Sequence, residues 1–359
     1  MNGRLVTQIG WILLISAFWL SVLAGFLYVP YAVQWFNRKQ QSISIFIWSD
    51  VIDSRTIKEF EQQTGVRVFV NYHESNDELL TKLRFSHGEG YDLFMPSHYM
   101  IKTMVRDELI KKIDKTKLEF WYDLDPKLLG LEDDPGNEYT IPFIWDVYGL
   151  CIDKRFFADK PFEPSWRMLF DPPISYRVGM TDEPREITDI ASLYLYGDMK
   201  DFNDKRRKEI ANLLIKQKRF VEAYTDLMSD FLLTSGACPV VLAPSYTMHR
   251  AKKQVPWAAF VLPREGTVMA VESIVIAAKT EKEALVYQFI NFLFKSAAIK
   301  TMYERYGYLT SFKPVLDTLN LDYIDMKQLS GPYAKKIALI RPLIPRHELF
   351  EFWLSIKAH

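Results

Sequence analysis

Apolar and polar residues follow two different periods in the chain that comes after the N-terminal segment. SISIFIW, residues 42–48, has the period of two that is typical of a strand, and VRVFVNY, residues 66–72, repeats it. The amphipathic segment between them begins near Asp53 or Ser54, either of which can cap a helix, and ends at Gly65. This order predicts a strand, a helix and a second strand.

The same alternation continues towards residue 109. Ser75 and Glu78 predict a capping box ahead of the helical segment ELLTKLRF. YDLFMP, residues 91–96, predicts a short third strand, and MIKTMVRDEL predicts the helix that follows it. Strands that alternate with helices favour a parallel sheet covered by helices.

Two extended segments are too long for one ordinary strand and predict crossings between two bodies. They are YTIPFIWDVYGLCID at residues 139–153 and VMAVESIVIAA at residues 268–278. Between them, strands are predicted at RVGMT, CPVVLA and WAAFVLP, and helices near residues 183–197 and 203–220 and at YTMHRAKKQ. Asp182 or Glu183 can cap the first of these helices, and we expect Asp182 to do so. Thr280 and Glu283 predict a capping box for EALVYQFINFLF, which completes two α/β bodies.

The first 41 residues differ from the rest in hydropathy. No charged residue lies between Arg4 and Arg38, and WILLISAFWLSVLAGFLYV supplies about the 20 apolar residues that a membrane-spanning helix needs. A cleaved signal peptide is the alternative, because Val22-Leu23-Ala24 resembles a small-residue cleavage site. The apolar character that continues past this point favours an uncleaved anchor. We therefore expect residues 1–41 to be a signal peptide or membrane anchor with a linker.

Composition and motifs narrow the class of protein. A chain of 359 residues that is 48% hydrophobic can build about two domains, and 45 basic residues balance 45 acidic ones, which gives no reason to expect a nucleic-acid partner. The chain lacks the G-x-G-x-x-G, G-K-S/T and G-x-S-x-G motifs. Its six histidines form no i, i+4 pair and do not cluster with cysteine. His98 could act as a ligand or line a cleft, but we expect it to be a polar turn residue. We expect neither an enzyme nor a cofactor or metal.

Cys151 and Cys238 can form one disulfide or remain separate buried thiols.

Carboxylates and aromatic residues are concentrated where predicted strands end. Ligands bind outside the carboxyl ends of the strands in open parallel sheets. The candidates on this rule are Trp48, Ser49, Asp50, Ser97, Tyr99, Asp182, Glu183, Glu186 and, in the second long segment, Glu272. Trp48 can equally be a core residue.

The order of motifs after residue 42 resembles that of the periplasmic spermidine/putrescine-binding proteins, which are substrate-capturing subunits of ABC importers. The segments that carry the resemblance are IWSDVI, NYHESNDELLTKL, YDLFMPSHYM, IKKIDKTKL, YTIPFIWD, SWRMLFDP, MTDEPREI, LPREGTVMAVESIVI, FINFLF and YGYLTSF. The resemblance implies a type II-like, two-lobed periplasmic-binding-protein fold. We expect one lobe from residues 42–148 and 271–316, and the other from residues 149–270 and 317–359.

The resemblance also implies a polyamine between the lobes, held by carboxylates at intervals with aromatic faces between them. It assigns ligand contacts to Trp48, Ser49, Asp50, Ser97, Tyr99, Glu183, Glu186, Glu272 and Tyr308. The chain departs from the family pattern at Val51, Leu242 and Ala270, where aromatic residues are expected, and at Ser245, where some relatives have a carboxylate. Smaller side chains at these positions predict weaker contact with the methylene stems of a long polyamine.

These observations predict a solute-binding subunit that captures putrescine, spermidine or a related small cation and presents it to an ABC permease of the inner membrane. It is expected in the periplasm or another extracytoplasmic space, tethered by the N-terminal helix. The alternative function is a membrane-anchored ligand sensor or scaffold domain on the same fold.

Overall fold

A computed structural model describes the chain over residue 11 and residues 14–26, 28, 41–160, 162–172, 176–225, 228–321 and 323–359. Residues 14–26 are helical, and among the described residues no helix is both long enough and apolar enough to cross a membrane. Most of the predicted signal or anchor segment, residues 1–41, lies outside the described residues. Its role stays a prediction.

The described chain forms an α/β fold. The strands are β1 Ser42–Trp48, β2 Arg67–His73, β3 Leu93–Phe94, β4 Ile110–Lys111, β5 Ile141–Asp153, β6 Val178–Met180, β7 Val221–Tyr224, β8 Val240–Pro244, β9 Ala258–Val261, β10 Thr267–Ala277, β11 Leu309–Thr310 and β12 Ile337–Leu339. The helices are Ser54–Thr64, Asn76–Phe85, Ile101–Arg106, Arg167–Phe170, Pro184–Tyr196, Asp204–Gln217, Ser229–Thr234, Ser245–Lys252, Glu283–Leu293, Ser296–Tyr306, Lys313–Leu316, Met326–Ser330 and Arg346–Ala358. These bounds confirm the predicted alternation of strands and helices.

The strands join in the order β2-β1-β3-β10-β5-β8-β6-β7. In the first half of this sheet β1 is parallel to both β2 and β3, and in the second half β6 is parallel to both β7 and β8. Helices that connect parallel strands must pack on the faces of the sheet, so the apolar strand residues of each half are buried between layers. Phe46 and Phe94 lie in the core of the first half, and Trp166 lies in the core of the second.

The two long segments cross between the halves as predicted. The 13 residues of β5 are all buried. From Ile141 to Val147 this strand pairs antiparallel with β10, and from Tyr148 to Ile152 it pairs antiparallel with β8. Its partner therefore changes between Val147 and Tyr148.

The starts of two helices follow the predicted caps. The Asp53 carboxylate accepts a hydrogen bond from the Arg55 amide at 2.7 Å, and the helix it caps ends at Gly65, which has the left-handed φ of 72°. Ser75 Oγ accepts from the Glu78 amide at 3.1 Å. Because Asp53 caps the helix that begins at Ser54, only a short turn separates that helix from the carboxyl end of β1.

The cap expected at Asp182 does not form. Glu183, the alternative, occupies the N-cap position of helix Pro184–Tyr196 without a side-chain cap hydrogen bond. The Asp182 carboxylate accepts hydrogen bonds from Trp353 and Lys357 instead.

The capping box at Thr280 is also absent from helix Glu283–Leu293. Lys282 is its N-cap residue, and the Thr280 hydroxyl donates to Asp92 at 2.6 Å. The Glu283 carboxylate is paired with Lys111 at 2.8 Å. Thr280 Oγ1 still accepts a local hydrogen bond from the Lys282 amide at 3.1 Å, but Glu283 has a long-range partner in place of the reciprocal bond of a capping box. Both cysteines are free, buried thiols.

The close approach of β9 to β5 generates a prediction about stability. A Cβ atom on Gly149 would lie within 2.9 Å of the Phe260 ring, so Gly149→Ala is expected to lower the free energy of unfolding by about 1 to 3 kcal/mol through overpacking. Urea denaturation of the chain from residue 41 onward measures this. Gly136→Ala is the control, because its Cβ would meet only the exposed side chain of Glu138 and is expected to change stability by less than about 0.5 kcal/mol. Equal stabilities of the two variants would contradict the packing argument.

Candidate functional site

A cavity of about 660 Å³ opens where the carboxyl ends of strands from both halves meet. It is lined by the turn after β1, the segment after β3, the start of helix Pro184–Tyr196 and the middle of β10. All nine side chains to which the sequence assigns ligand contacts line this one cavity, namely Trp48, Ser49, Asp50, Ser97, Tyr99, Glu183, Glu186, Glu272 and Tyr308. The fold thus brings together residues that are up to 260 positions apart, between Trp48 and Tyr308.

The Glu272 carboxylate is held on both of its oxygens. Trp48 Nε1 donates to Oε2 at 2.7 Å, and Ser97 Oγ donates to Oε1 at 2.8 Å. Asn76 fixes the serine in turn, because its Nδ2 donates to Ser97 Oγ at 2.8 Å while its Oδ1 accepts from the Ser97 amide at 2.9 Å. The carboxylate is therefore oriented before any ligand arrives, with Trp48 as a polar contact and not only a core residue.

Burial raises the pKa of Glu272 to about 7, against the opposing effect of the hydrogen bonds from Ser97 and Trp48. A carboxylate in this environment lacks the water that would otherwise solvate its charge. A cation in the cavity would supply the missing interaction. Near neutral pH the group is consequently balanced between its protonated and ionised forms.

The turn after β1 places the other predicted carboxylate at the rim of the cavity. Asp50 has the left-handed φ of 57°, a conformation that Asp tolerates better than most residues, and its side chain is exposed. Ser49 Oγ lies 3.4 Å from Glu74 Oε2. This turn therefore adds acidic groups at the mouth, in contact with water.

Tyr99 is half-buried and links the two halves of the site. Its hydroxyl accepts from Asn76 Nδ2 at 2.8 Å, and the guanidinium carbon of Arg185 lies 4.8 Å from the centre of its ring. Burial raises the pKa of this tyrosine, which keeps it neutral. The cation–π contact shows that this aromatic face accepts a positive charge within the cavity.

The acidic pair at the start of helix Pro184–Tyr196 divides into an exposed and a sheltered group. Glu183 is exposed, whereas Glu186 Oε2 is buried and accepts no hydrogen bond from any described residue. Burial, with repulsion from Glu183, raises the pKa of Glu186 well above its usual value. Glu186 is a second sheltered acceptor that faces the same cavity as Glu272.

Tyr246 is an aromatic residue of the cavity that was not predicted, and it lies against the predicted Tyr308. The rings of Tyr246 and Tyr308 lie 4.5 Å apart at an angle of 50°, and both line the cavity. Tyr246 follows the strand CPVVLA, near which the resemblance implied an aromatic residue, but the resemblance placed that residue at Leu242. Val51, Leu242 and Ala270 also line the cavity, so these small side chains face the site. Ser245 is fully buried, and its Oγ is within 3.5 Å of the Val147 amide.

Two further residues near the site differ from expectation. His98 is buried at 3% exposure and lines the cavity, and its ring nitrogens have no hydrogen-bond partner among the described residues, so the prediction of a polar turn histidine is wrong. Burial lowers its pKa and favours the neutral ring.

Asp146 also lines the cavity but was not among the predicted contact residues, although an acidic residue within the apolar segment YTIPFIWDVYGLCI is a pattern that marks a functional carboxylate.

Acidic groups outnumber basic groups around the cavity. Among the described residues the lining includes eight carboxylates and four cationic side chains. Two of the cations are engaged with lining carboxylates, since Arg346 pairs with Asp77 at 2.5 Å and Lys357 pairs with Asp182. Arg250 lies 3.4 Å from Asp230. The excess of carboxyl groups over basic groups, combined with tyrosine and tryptophan rings, suits a small organic cation with methylene segments.

Residues 55–327 match the family of bacterial extracellular solute-binding proteins. The chain is 27% identical over 272 residues to spermidine/putrescine-binding periplasmic protein 1 of Haemophilus influenzae, covering 75% of each chain. It is 26% identical over 333 residues to a putrescine/cadaverine-binding protein of Pseudomonas aeruginosa, covering 88% of this chain and 94% of the relative.

Solved structures of similar proteins identify the fold. A putative spermidine/putrescine ABC transporter protein of Listeria monocytogenes superposes with a TM-score of 0.76 at 25% identity, covering 88% of this chain and 99% of the other. The TpPotD lipoprotein of Treponema pallidum superposes with a TM-score of 0.77 at 21% identity, covering 89% of this chain and all of the other. The fold is thus the two-lobed periplasmic-binding-protein fold that was predicted. The chain belongs to the bacterial extracellular solute-binding proteins.

The raised pKa of Glu272 generates a prediction about the ligand-free protein. Because the folded state holds this proton more tightly than the unfolded state, its contribution to stability is present below pH 4.5 and is lost as the pH rises towards 7. Glu272→Gln removes the titration but keeps the shape of the side chain. The free energy of unfolding of the variant relative to the wild type is expected to rise by about 1 to 3 kcal/mol between pH 5 and pH 8.

Urea denaturation at the two pH values measures this difference, and any constant effect on the hydrogen bonds of Trp48 and Ser97 cancels in the comparison. Glu281→Gln, at an exposed position outside the cavity lining, is the control and is expected to show no such dependence. A pH-independent difference for Glu272→Gln would show that the carboxyl titrates normally.

Proposed function

We propose that this protein captures a small polyamine of the putrescine or spermidine type in the cavity and delivers it to an ABC permease. The observation that carries the proposal is the Glu272 carboxylate, which is sheltered from water and oriented by Trp48 and Ser97 in a cavity lined by more carboxyl groups than basic groups. The polyamine names carried by the relatives from Haemophilus influenzae and Pseudomonas aeruginosa support the same ligand class.

The chemistry of the lining matches the chemistry of a polyamine. Each ammonium group has three donors and a positive charge, and needs an anionic acceptor once it leaves water. Each methylene segment between ammonium groups is apolar and packs on an aromatic face. We assign the ammonium contacts to Asp50, Glu183, Glu186 and Glu272, the polar contacts to Ser49 and Ser97, and the aromatic contacts to Trp48, Tyr99 and Tyr308.

Capture would proceed by closure of two lobes. We assign residues 42–148 and 271–316 to one lobe and residues 149–270 and 317–359 to the other. The change of partner along β5 between Val147 and Tyr148 supports a hinge near residues 145–150, with the second hinge near residues 266–271 on the neighbouring strand. Closure excludes water, which strengthens the attraction between the carboxylates and the bound cation.

The protein binds the polyamine and does not catalyse a reaction on it. The protein works on the outer side of the cytoplasmic membrane, held there by the N-terminal segment. Family membership and the periplasmic relatives support this location. The permease is the partner that accepts the ligand when the lobes reopen.

Calorimetric titration of the chain from residue 41 onward with putrescine and spermidine tests the proposal. Glu272→Gln and Asp50→Asn are each expected to weaken binding by about 1 to 3 kcal/mol, because each removes a charge-assisted hydrogen bond to an ammonium group. Asp317→Asn, which changes an exposed carboxylate paired with Lys313 outside the cavity lining, is expected to bind as the wild type does.

Unchanged affinity in both cavity variants would contradict the site assignment. The small side chains of Val51, Leu242 and Ala270 in the lining favour the second candidate function, a membrane-anchored sensor or scaffold that has lost tight capture. Absence of any heat of binding and of any thermal shift with millimolar putrescine or spermidine would favour that alternative.

A further inference from the structure

Asp146 is a buried carboxylate that no part of the described chain neutralises. It lies within β5, where it is the one charged residue from Ile141 to Ile152, and it is 7% exposed. Its Oδ1 is buried without a hydrogen-bond partner among the described residues, and the side chain lines the cavity. Such a group is costly to fold unless something satisfies it.

Two other buried aspartates in the chain, Asp134 and Asp53, are satisfied internally. Asp134 accepts hydrogen bonds from the amides of Glu138, Tyr139 and Thr140 at 2.9 to 3.0 Å and from Thr140 Oγ1 at 2.8 Å. Asp53 is fully buried and lies 3.1 Å from an Arg55 nitrogen and 3.3 Å from an Arg305 nitrogen. Asp146 lacks the internal donors that these two aspartates have, so a structural role of their kind does not account for it.

The sheet register places Asp146 beside Glu272. The Cα partner of Asp146 on β10 is Ala270, and the Cα partner of Glu272 is Ile144, so the two carboxylates occupy diagonal positions on one face of an antiparallel pair. The short side chain of Ala270 leaves the space above Asp146 open to the cavity. Repulsion from Glu272 adds to burial in raising the pKa of Asp146 well above its usual value.

The other charged or titratable groups near this pair do not neutralise it. Tyr308, in the segment before β11, is close enough to both carboxyl groups for their charges to act on it, and burial raises its pKa. Tyr246, on helix Ser245–Lys252, lies against the Tyr308 ring. Arg250 lies on the same helix as Tyr246, over the Tyr246 ring at 5.2 Å and near Asp230. Tyr99 faces Glu272 from the segment after β3.

We propose that Asp146 and Glu272 together form an end subsite that binds one primary ammonium group of the ligand between two carboxylates. The inference rests on the proposed function and deepens it, because it assigns Asp146 as a residue that determines specificity for a ligand with a cationic terminus. An ammonium group has enough N–H donors to contact both carboxylates, with the tyrosine rings beside it. Binding a full positive charge between two carboxyl groups expels the proton that they hold in the empty site and releases it to solvent.

Titration calorimetry with putrescine at pH 7, in two buffers of different ionisation enthalpy, tests this subsite. Asp146→Asn is expected to weaken binding at least tenfold and to release fewer protons on binding than the wild type. Its affinity should also rise less steeply than that of the wild type between pH 6 and pH 8, because one titrating carboxyl is gone. The ligand-free variant should unfold in urea at the same or a higher concentration than the wild type.

Asp153→Asn is the matched control, since Asp153 is also buried and lies at the far end of the same strand, paired with Arg155 outside the cavity lining. It is expected to bind putrescine within twofold of the wild type. Wild-type affinity and proton release in Asp146→Asn, while Glu272→Gln binds weakly, would overturn the subsite and leave the proposed function intact. A wild-type protein that binds no putrescine would overturn both.

Discussion

The antiparallel pairing of β5 with β10 is the constraint on which the rest of the structure depends. These two strands are the only sheet connection between the halves along the path β2-β1-β3-β10-β5-β8-β6-β7 of the described strands. They also carry Asp146 and Glu272 on one face, at the point where the carboxyl ends of both halves converge. The same pairing therefore joins the halves and places the central negative charge between them.

Burial of carboxylates explains how such a site can be selective without a large net charge on the protein. The whole chain has equal numbers of acidic and basic residues, so long-range attraction of a cation is weak. Within the cavity, however, the pKa of Glu272 is about 7 and those of Glu186 and Asp146 are raised because the charges are poorly solvated. A bound cation relieves this cost locally, and neutral solutes of similar shape do not.

The aromatic part of the site shows how a departure from the family pattern is compensated in space. The faces expected at Leu242 and Ala270 are absent, but Tyr246 stands against Tyr308 in the same cavity. Ala270 also leaves open the space next to Asp146, its partner on β5. The chain thus has less aromatic surface and one more sheltered carboxylate than its resemblance to the family implies. Recognition therefore depends less on aromatic contacts with methylene segments and more on ionic contacts with ammonium groups.

The sequence by itself determined the alternation of strands and helices and the two long extended segments, because hydrophobic period and strand ends are local properties. The same local patterns selected eight of the nine predicted contact residues that line the cavity, and the resemblance to the family added Tyr308. Only the tertiary structure decided which polar groups are satisfied. The Asp182 carboxylate binds Trp353 and Lys357 in place of its own helix, and Thr280 binds Asp92, because partners that are distant in sequence compete with local caps. Asp146 looked like one residue of an apolar strand until the register of β5 and β10 set it beside Glu272. The burial of a carboxyl group depends on several elements that pack around it, so it cannot be read from any single segment of the sequence.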